Sequence, residues 1–474
     1  MTAPGSRQPP TAPPPTGPSV RPHSTCLGCG CCCDDIEVAV AEGRIVEARR
    51  ACPIGVRWFG DGSAPALATV GGRTASQDEA LDAAAALVAG AARPLVFLAP
   101  ELSCEAQREA IAIADLLRGA LDGVTSATSL AGVLAAQERG RAGATLGEIR
   151  NRADVVLFWG VDPAVRYPRF EERYAPTPVG THVPGGRAGR TVIAVDVGRD
   201  SRGPADADLR VAVAPEDEAS TLAALVALLR EAPAAGAATA ATSAAPSTLP
   251  SEGAMWESAR AIAAPLLAGR YVALVSDGEP APGRDADRAG LLVSLGQALN
   301  GPTRAAHVVL RAGGNRNGAD SVTTSQTGYP LAVEFARGYP RYRPYDGTAL
   351  ALLARGAVDV ALVVGALDGG RVPHDLVSAL RGARCVVVGP RASAAPVSAA
   401  VAIDGAVAGI HEAGTALRTD DVPLPLRALI DGPPATAALV RALGERVRWG
   451  IRGVERAGAN ARPVERAPAR AAER

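Results

Sequence analysis

Hydrophobic and polar positions change their period along this chain. Residues 36–40 and 44–48 alternate apolar with polar or small positions on either side of Gly43, which predicts a β-hairpin turned at a glycine. From about residue 78 the pattern becomes helix, strand, helix, strand. It predicts a helix over 78–88, a buried strand over 94–99, a helix over 103–118 with Ser103 as its N-cap, and a strand over 154–160. Strands over 191–197 and 209–213 and a helix over 216–229 follow, and a second set places strands at 271–276, 306–311, 358–365 and 385–389 with helices between them. Alternating α and β elements of this length predict an α/β protein with two Rossmann-like, doubly wound parallel-sheet domains behind a small β and cysteine-rich head.

The domain organisation expected from these patterns is a disordered leader over 1–23, rich in Pro, Ser and Thr, then a cluster-binding head with its hairpin over 24–75. A first α/β domain over 76–231 and a linker or loop of Ala, Ser, Thr and Pro over 232–253 come next. A second α/β domain over 254–450, with a return segment to the first, precedes a disordered arginine-rich tail over 451–474.

Composition narrows the partners. Basic and acidic residues balance at 49 each, so there is no overall field to draw in nucleic acid or an anionic membrane, and all the positive charge is arginine. The N-terminal segment lacks the apolar core of a signal peptide, and no apolar stretch nears the roughly 20 residues that span a bilayer. The expectation is a cytoplasmic protein, in a compartment where grouped cysteines mean metal or redox chemistry more often than disulfides.

The chemistry concentrates in residues 26–33, where Cys26, Cys29 and Cys33 fall in a CxxCxxxC spacing, with Cys52 beyond the hairpin. Thiolates on a tight loop face one centre, and the hairpin returns a fourth to complete a tetrathiolate shell. A 4Fe-4S cluster and a zinc ion both take such a shell. The missing second CxxC knuckle argues for the cluster and leaves zinc as its competitor. Cys31 and Cys32 are unexplained extras, while Cys104 and Cys385 read as core thiols. Weaker candidates lie elsewhere. Gly160 and Asp162 follow a predicted strand, where doubly wound sheets bind ligands, or form a plain strand-end turn. The glycine-rich run 313–318, with Gly314, Asn315 and Arg316, reads equally as a phosphate or pterin loop and as a structural turn. Asp34 and Asp35, and the stretch holding Arg166, Arg169 and Arg173, read by default as solvated charge. The histidines His23, His182, His307, His374 and His411 are scattered, each structural or exposed on this reading.

The cysteine spacing with Asp34, Asp35 and Ile36 after it, then residues 43–46 and 51–55, resembles the start of the B subunit of formylmethanofuran dehydrogenase, a family of the molybdopterin oxidoreductase superfamily. Residues 145–160 with Asp162 and Pro163, residues 326–342, and residues 414–423 resemble further signatures of that family. The resemblance implies the molybdopterin oxidoreductase fold without its C-terminal β-barrel domain, and a 4Fe-4S cluster on Cys26, Cys29, Cys33 and Cys52. In the family the cluster lies beside a pterin-bound molybdenum or tungsten held by a cysteine that a histidine follows. Counting back from Gln137, Thr128 and Ser129 take those two positions. A threonine hydroxyl keeps its proton near neutral pH and is a poor donor to such a metal.

The resemblance therefore implies no catalytic residue in this chain and no molybdopterin or tungstopterin. The implied role is a redox-silent scaffold in a bacterial formyltransferase/hydrolase complex of tetrahydromethanopterin-linked one-carbon metabolism, as in methylotrophy, with partners of A, C and D type. Gly160, Asp162, Gly314, Asn315 and Arg316 would be vestigial pterin loops. An active molybdenum or tungsten formylmethanofuran or formate dehydrogenase subunit, and a zinc-stabilised nucleotide-binding module, are the alternatives.

Overall fold

The computed structural model describes residues 17–199, 202–233, 249–250, 252–279, 287–367 and 371–460, with backbone alone from 452 on. The predicted hairpin forms from strands Ile36–Ala41 and Arg44–Arg49, which pair antiparallel. Strand Ser19–Ser24 adds to it, so the expected leader is ordered over its last residues, where main-chain pairing with the hairpin supplies what composition lacked. Residues 1–16 lie outside the described residues.

Two larger sheets carry the rest. One has five parallel strands in the order Leu209–Val213, Thr191–Val197, Val155–Trp159, Tyr271–Asp277, Arg304–Leu310. The other has nine strands. Its parallel centre runs Ala120–Gly123, Pro94–Leu98, Val360–Val364, Arg384–Gly389, Ala399–Asp404. Antiparallel pieces finish both edges, Val333–Glu334 with Arg341–Tyr342 on one side and Ala68–Val70 with Arg73–Thr74 on the other. Strands Pro94–Leu98, Val155–Trp159 and Val360–Val364 are buried at every position, as strands covered by helices on both faces must be. Ser76, Ser103 and Thr145 cap the helices Gln77–Ala89, Cys104–Leu116 and Leu146–Arg152 by accepting from main-chain N–H groups two or three residues inside.

This topology corrects the expected division into two consecutive α/β domains. Each large sheet takes strands from both halves of the chain, and residues 68–74, expected in the head, extend the nine-stranded sheet. Periodicity identifies strands but carries no record of which neighbour completes their hydrogen bonds. The expected tail from 451 is likewise helical as far as described. Helix Thr436–Asn460 buries Leu439, Val440, Leu443 and Val447 against the nine-stranded sheet, a spacing that keeps one face inward. Residues 461–474, and most of the expected linker (234–248 and 251), lie outside the described residues.

The head is fastened to a separate two-stranded hairpin and to the end of the five-stranded sheet. Leu27 and Cys32 pack with Ala416, Leu424 and Leu426 of the hairpin Gly414–Leu417 and Pro423–Leu426. Gly30 donates to the Arg311 carbonyl at 3.1 Å, and Thr419 donates to the Gly30 carbonyl at 2.9 Å. A Cβ on Gly30 would sit 2.2 Å from the Arg311 oxygen, so this backbone approach requires glycine. Among the described residues no helix is long and apolar enough to cross a membrane.

Candidate metal centre and adjoining cavity

The loop between strands Ser19–Ser24 and Ile36–Ala41 closes on itself, with Cys26 donating to the Cys33 carbonyl at 2.9 Å and Cys32 to the Cys29 carbonyl at 3.1 Å. Cys52 enters from beyond the hairpin as the N-cap of helix Pro53–Phe59, its sulfur accepting from the Gly55 N–H at 3.5 Å. Cys26 Sγ accepts from the Gly28 N–H at 3.3 Å. Cys26, Cys29, Cys33 and Cys52 line one small cavity with Ile36, Ile54 and Arg169, so the structure brings together the four thiols that the spacing selected. Cys31 and Cys32 are buried but do not line it. Among the described residues, no three ligand-type side chains meet at a single-ion position.

Electrostatics around the thiols is mixed. Burial pushes the Cys26 and Cys33 thiols up, and at Cys33 the charge of the nearby Arg173 guanidinium opposes that rise. A hydrogen bond with Cys31 pulls the Cys29 thiol down. Asp34 and Asp35, expected as solvated acids, are tied into this arrangement. Arg169 donates to both carboxylate oxygens of Asp35, at 2.7 and 2.8 Å, and Arg173 donates to Asp34 at 2.7 Å. Arg166 pairs with Asp277. Three arginines that read as solvated charge in the sequence instead hold the head and the five-stranded sheet through ion pairs. Their partners lie more than 100 residues away in the chain, beyond any local pattern.

A cavity of about 680 Å³ opens at the C-terminal ends of strands Tyr271–Asp277 and Arg304–Leu310. Doubly wound sheets receive ligands at such ends. Thr128 and Ser129 line it, together with Gln137, Arg141, His307, Arg311 and Asp320, and no cysteine is among the lining residues. Thr128 ends helix Val124–Thr128 and donates its hydroxyl to the Val124 carbonyl at 3.1 Å, while an Arg316 N–H reaches it at 3.5 Å. Arg311 donates to Ser129 Oγ at 3.4 Å and to Asp320 at 2.7 Å.

The other five candidates do not line this cavity. Gly160 turns with positive φ between Val197 and Arg288, and Asp162 caps helix Pro163–Arg166 by accepting from Val165 at 2.9 Å. Gly314 donates to the Leu27 carbonyl at 2.9 Å and packs on Pro100. Asn315 is a buried hydrogen-bond hub. Its amide N–H donates to the Leu102 carbonyl at 3.0 Å and its carbonyl oxygen accepts from Leu417 at 2.8 Å, stitching helix to hairpin. Arg316 pairs with Glu279. The glycine-rich run is therefore a packing junction in this geometry.

His307, read from the sequence as structural or exposed, is structural. Its Nε2 and the Ser276 hydroxyl are 2.8 Å apart, its ring is 4 % exposed, and its Nδ1 has no partner among the described residues. Only the pairing of its strand with Tyr271–Asp277 reveals this. Burial, helped by Arg141 and Arg288, lowers the imidazole from its ordinary 6.5 to about 3. The unfolded chain takes up a proton below 6.5 that the folded state refuses, so the stability this neutral ring supports is complete above pH 6.5 and drains away as pH falls toward 3. Urea titrations should show the wild type losing about 1.4 kcal/mol per pH unit relative to His307→Leu between roughly pH 5.5 and 4. A difference that stays flat across that range would contradict a neutral buried ring.

Fold and site together define a class: a doubly wound, two-sheet α/β protein carrying a four-thiol head beside a large strand-end cavity. No protein-family model matches the chain. It is 31 % identical over 417 residues to the B subunit of tungsten-containing formylmethanofuran dehydrogenase 2 of Methanocaldococcus jannaschii, covering 86 % of this chain and 93 % of that protein. The protein of the same description from Methanococcus maripaludis is 30 % identical over the same shares. A chain in the X-ray structure of the formyltransferase/hydrolase complex from Methylorubrum extorquens, in complex with methylofuran, superposes with a TM-score of 0.63 at 22 % identity, over 82 % of this chain and 99 % of that one. This chain belongs to the family of formylmethanofuran dehydrogenase B subunits.

Proposed function

We propose that this chain is the B-type subunit of a formyltransferase/hydrolase complex in tetrahydromethanopterin-linked one-carbon metabolism, redox-silent and serving as a scaffold for A-, C- and D-type partners in the cytoplasm. The carrying observation is the donor set of the large cavity: Thr128 and Ser129 line it, and no thiol does. A hydroxyl that donates to a main-chain carbonyl and keeps its proton near neutral pH does not replace a thiolate on a molybdenum or tungsten centre. The residues present therefore do not fit a protein-ligated metal there.

The four thiols of the head supply the donor set that a 4Fe-4S cluster takes. Cys26, Cys29, Cys33 and Cys52 would hold it, with Arg169 and Arg173 close enough to offset the charge of the thiolates. Such a cluster supplies one-electron chemistry when bound. Here its neighbours favour a structural part, because they fasten the loop to the five-stranded sheet and to the two-stranded hairpin.

A second reading is a working molybdenum or tungsten subunit whose metal is held by pterin and solvent alone. The size of the cavity and the higher identity to the tungsten-containing relatives favour it. Anaerobic purification of the native assembly, with Fe, Zn, Mo and W measured per chain beside formate-dependent dye reduction, separates the two. Iron near four per chain without Mo or W is the expected result. Stoichiometric Mo or W with formate-dependent reduction would overturn the scaffold, and zinc alone would overturn the cluster.

A further inference from the structure

Aromatic residues are only 3 % of this chain, yet four of its seven tyrosines fall between residues 329 and 345. They stand in the segment that carries the edge strand Arg341–Tyr342, whose outer side has no strand partner among the described residues. Tyr339 is 53 % and Tyr345 73 % exposed, and Arg337, Arg341 and Arg343 lie among them. The segment is stiff. Tyr342 stacks on Tyr329 with ring centres 5.1 Å apart and donates to Gln137 at 3.0 Å. Arg343 donates its main-chain N–H to Ala332 at 2.8 Å, and Phe335 is buried beneath.

We propose that this tyrosine–arginine edge, centred on Tyr339, Arg341 and Tyr345, is the surface on which a different protein subunit of the assembly docks through a carboxylate-rich face. The inference rests on the subunit reading above and adds where the contact lies. Tyrosine and arginine are the residues that dominate protein interfaces, since each offers a large contact area and hydrogen bonds at one site. Holding them on a stiff edge lowers the ordering cost of association. An exposed strand edge is otherwise a liability that proteins cover or blunt.

Charge selects the kind of partner. Glu334 pairs with both Arg341 and Arg343, and Asp346 with Arg343, and the whole chain has no basic excess, which argues against nucleic acid. A second copy meeting this edge across a two-fold axis would set its excess of arginines over carboxylates against the same excess. A carboxylate-bearing partner satisfies Arg337, which is exposed and has no ion-pair partner among the described residues. Gly328 and Pro330, at the base of the same segment, line the large cavity, so the docked subunit would lie beside its mouth.

The test uses the native complex from its host, purified through a tag on this chain. Wild type, Tyr339→Ala/Tyr345→Ala and a photocrosslinking benzoylphenylalanine placed at position 345 are compared. The wild type is expected to bring down formyltransferase- or hydrolase-type subunits. The double variant should lose them roughly tenfold or more, with an unchanged melting temperature to show that it folds. The crosslink should map by mass spectrometry to an acidic segment of one of those subunits. Full retention of partners by the double variant, or a crosslink to a second copy of this chain, overturns the docking surface and leaves the subunit reading standing. A wild type that purifies alone overturns both.

Discussion

Serine at both Cys29 and Cys33 is expected to bring the iron content from about four per chain to below about one, and to expose the head to protease. The two sulfurs sit on the 26–33 loop whose backbone contacts, Gly30 to Arg311 and Thr419 to Gly30, join the end of the five-stranded sheet to the two-stranded hairpin. Removing half of the thiolates leaves a cluster without its ligands, and the stability that binding contributes to the folded loop goes with it. Cys32→Ser is the internal control, because Cys32 is buried against Leu424 and Leu426 away from the four-thiol cavity, and it should keep its iron. The measurements are iron per chain after anaerobic reconstitution and limited trypsin cleavage at the arginines of residues 44–57. Equal iron in the double variant and the wild type would remove the cluster from these four positions.

The second large effect lies in the five-stranded sheet. Glu218 is fully buried and accepts from Arg288 Nε at 2.8 Å and from the Trp159 indole N–H at 2.9 Å. Arg288 is itself only 4 % exposed. Glu218→Ala leaves a guanidinium in the core without this carboxylate and orphans the indole N–H, which should cost about 3–5 kcal/mol in urea denaturation. Glu218→Leu combined with Arg288→Met should recover much of that loss, because a well-packed apolar pair avoids the desolvation cost of two charges. A single variant within about 1 kcal/mol of the wild type would show that the pair is solvated in the native state. The effect matters to the site because Arg288 lines the large cavity, and Gly160 turns against both partners.

Much was legible before any coordinates. The hairpin of the head, the Ser103 cap and the buried strands sit within a few residues of where periodicity put them, because side-chain burial imposes its period directly on the sequence. The four thiols were legible for a different reason. Cysteines so spaced on one short loop, with a hairpin to return the last, have few other arrangements open to them. The family followed from the same cysteines and three distant motifs, and the relatives bear it out.

Some residues could not be placed from the sequence because their roles depend on partners far away. The run around Asn315 read equally as an anion loop and as a structural turn, and the bonds of its amide to Leu102 and Leu417 lie beyond any local pattern. His307 read as structural or exposed, and strand pairing, which sets Ser276 against its buried ring, decided between the two. Asp35 looked solvated, since short loops with two acids usually are, yet Arg169 returns from beyond the five-stranded sheet's first strand to hold it.

By itself, then, the sequence determined most of the strands and helices, which four thiols line one small cavity and which family the chain resembles. These follow from local periodicity and from cysteine spacing, which act over a few residues. Tertiary structure alone decided that each large sheet draws on both halves of the chain, that a cavity without a thiol stands where Thr128 and Ser129 fall, and that charge pairs lock the cysteine head in place. Those outcomes depend on contacts between residues as far as 134 to 270 positions apart, where backbone pairing and the cost of burying charge choose among partners that local pattern leaves equivalent.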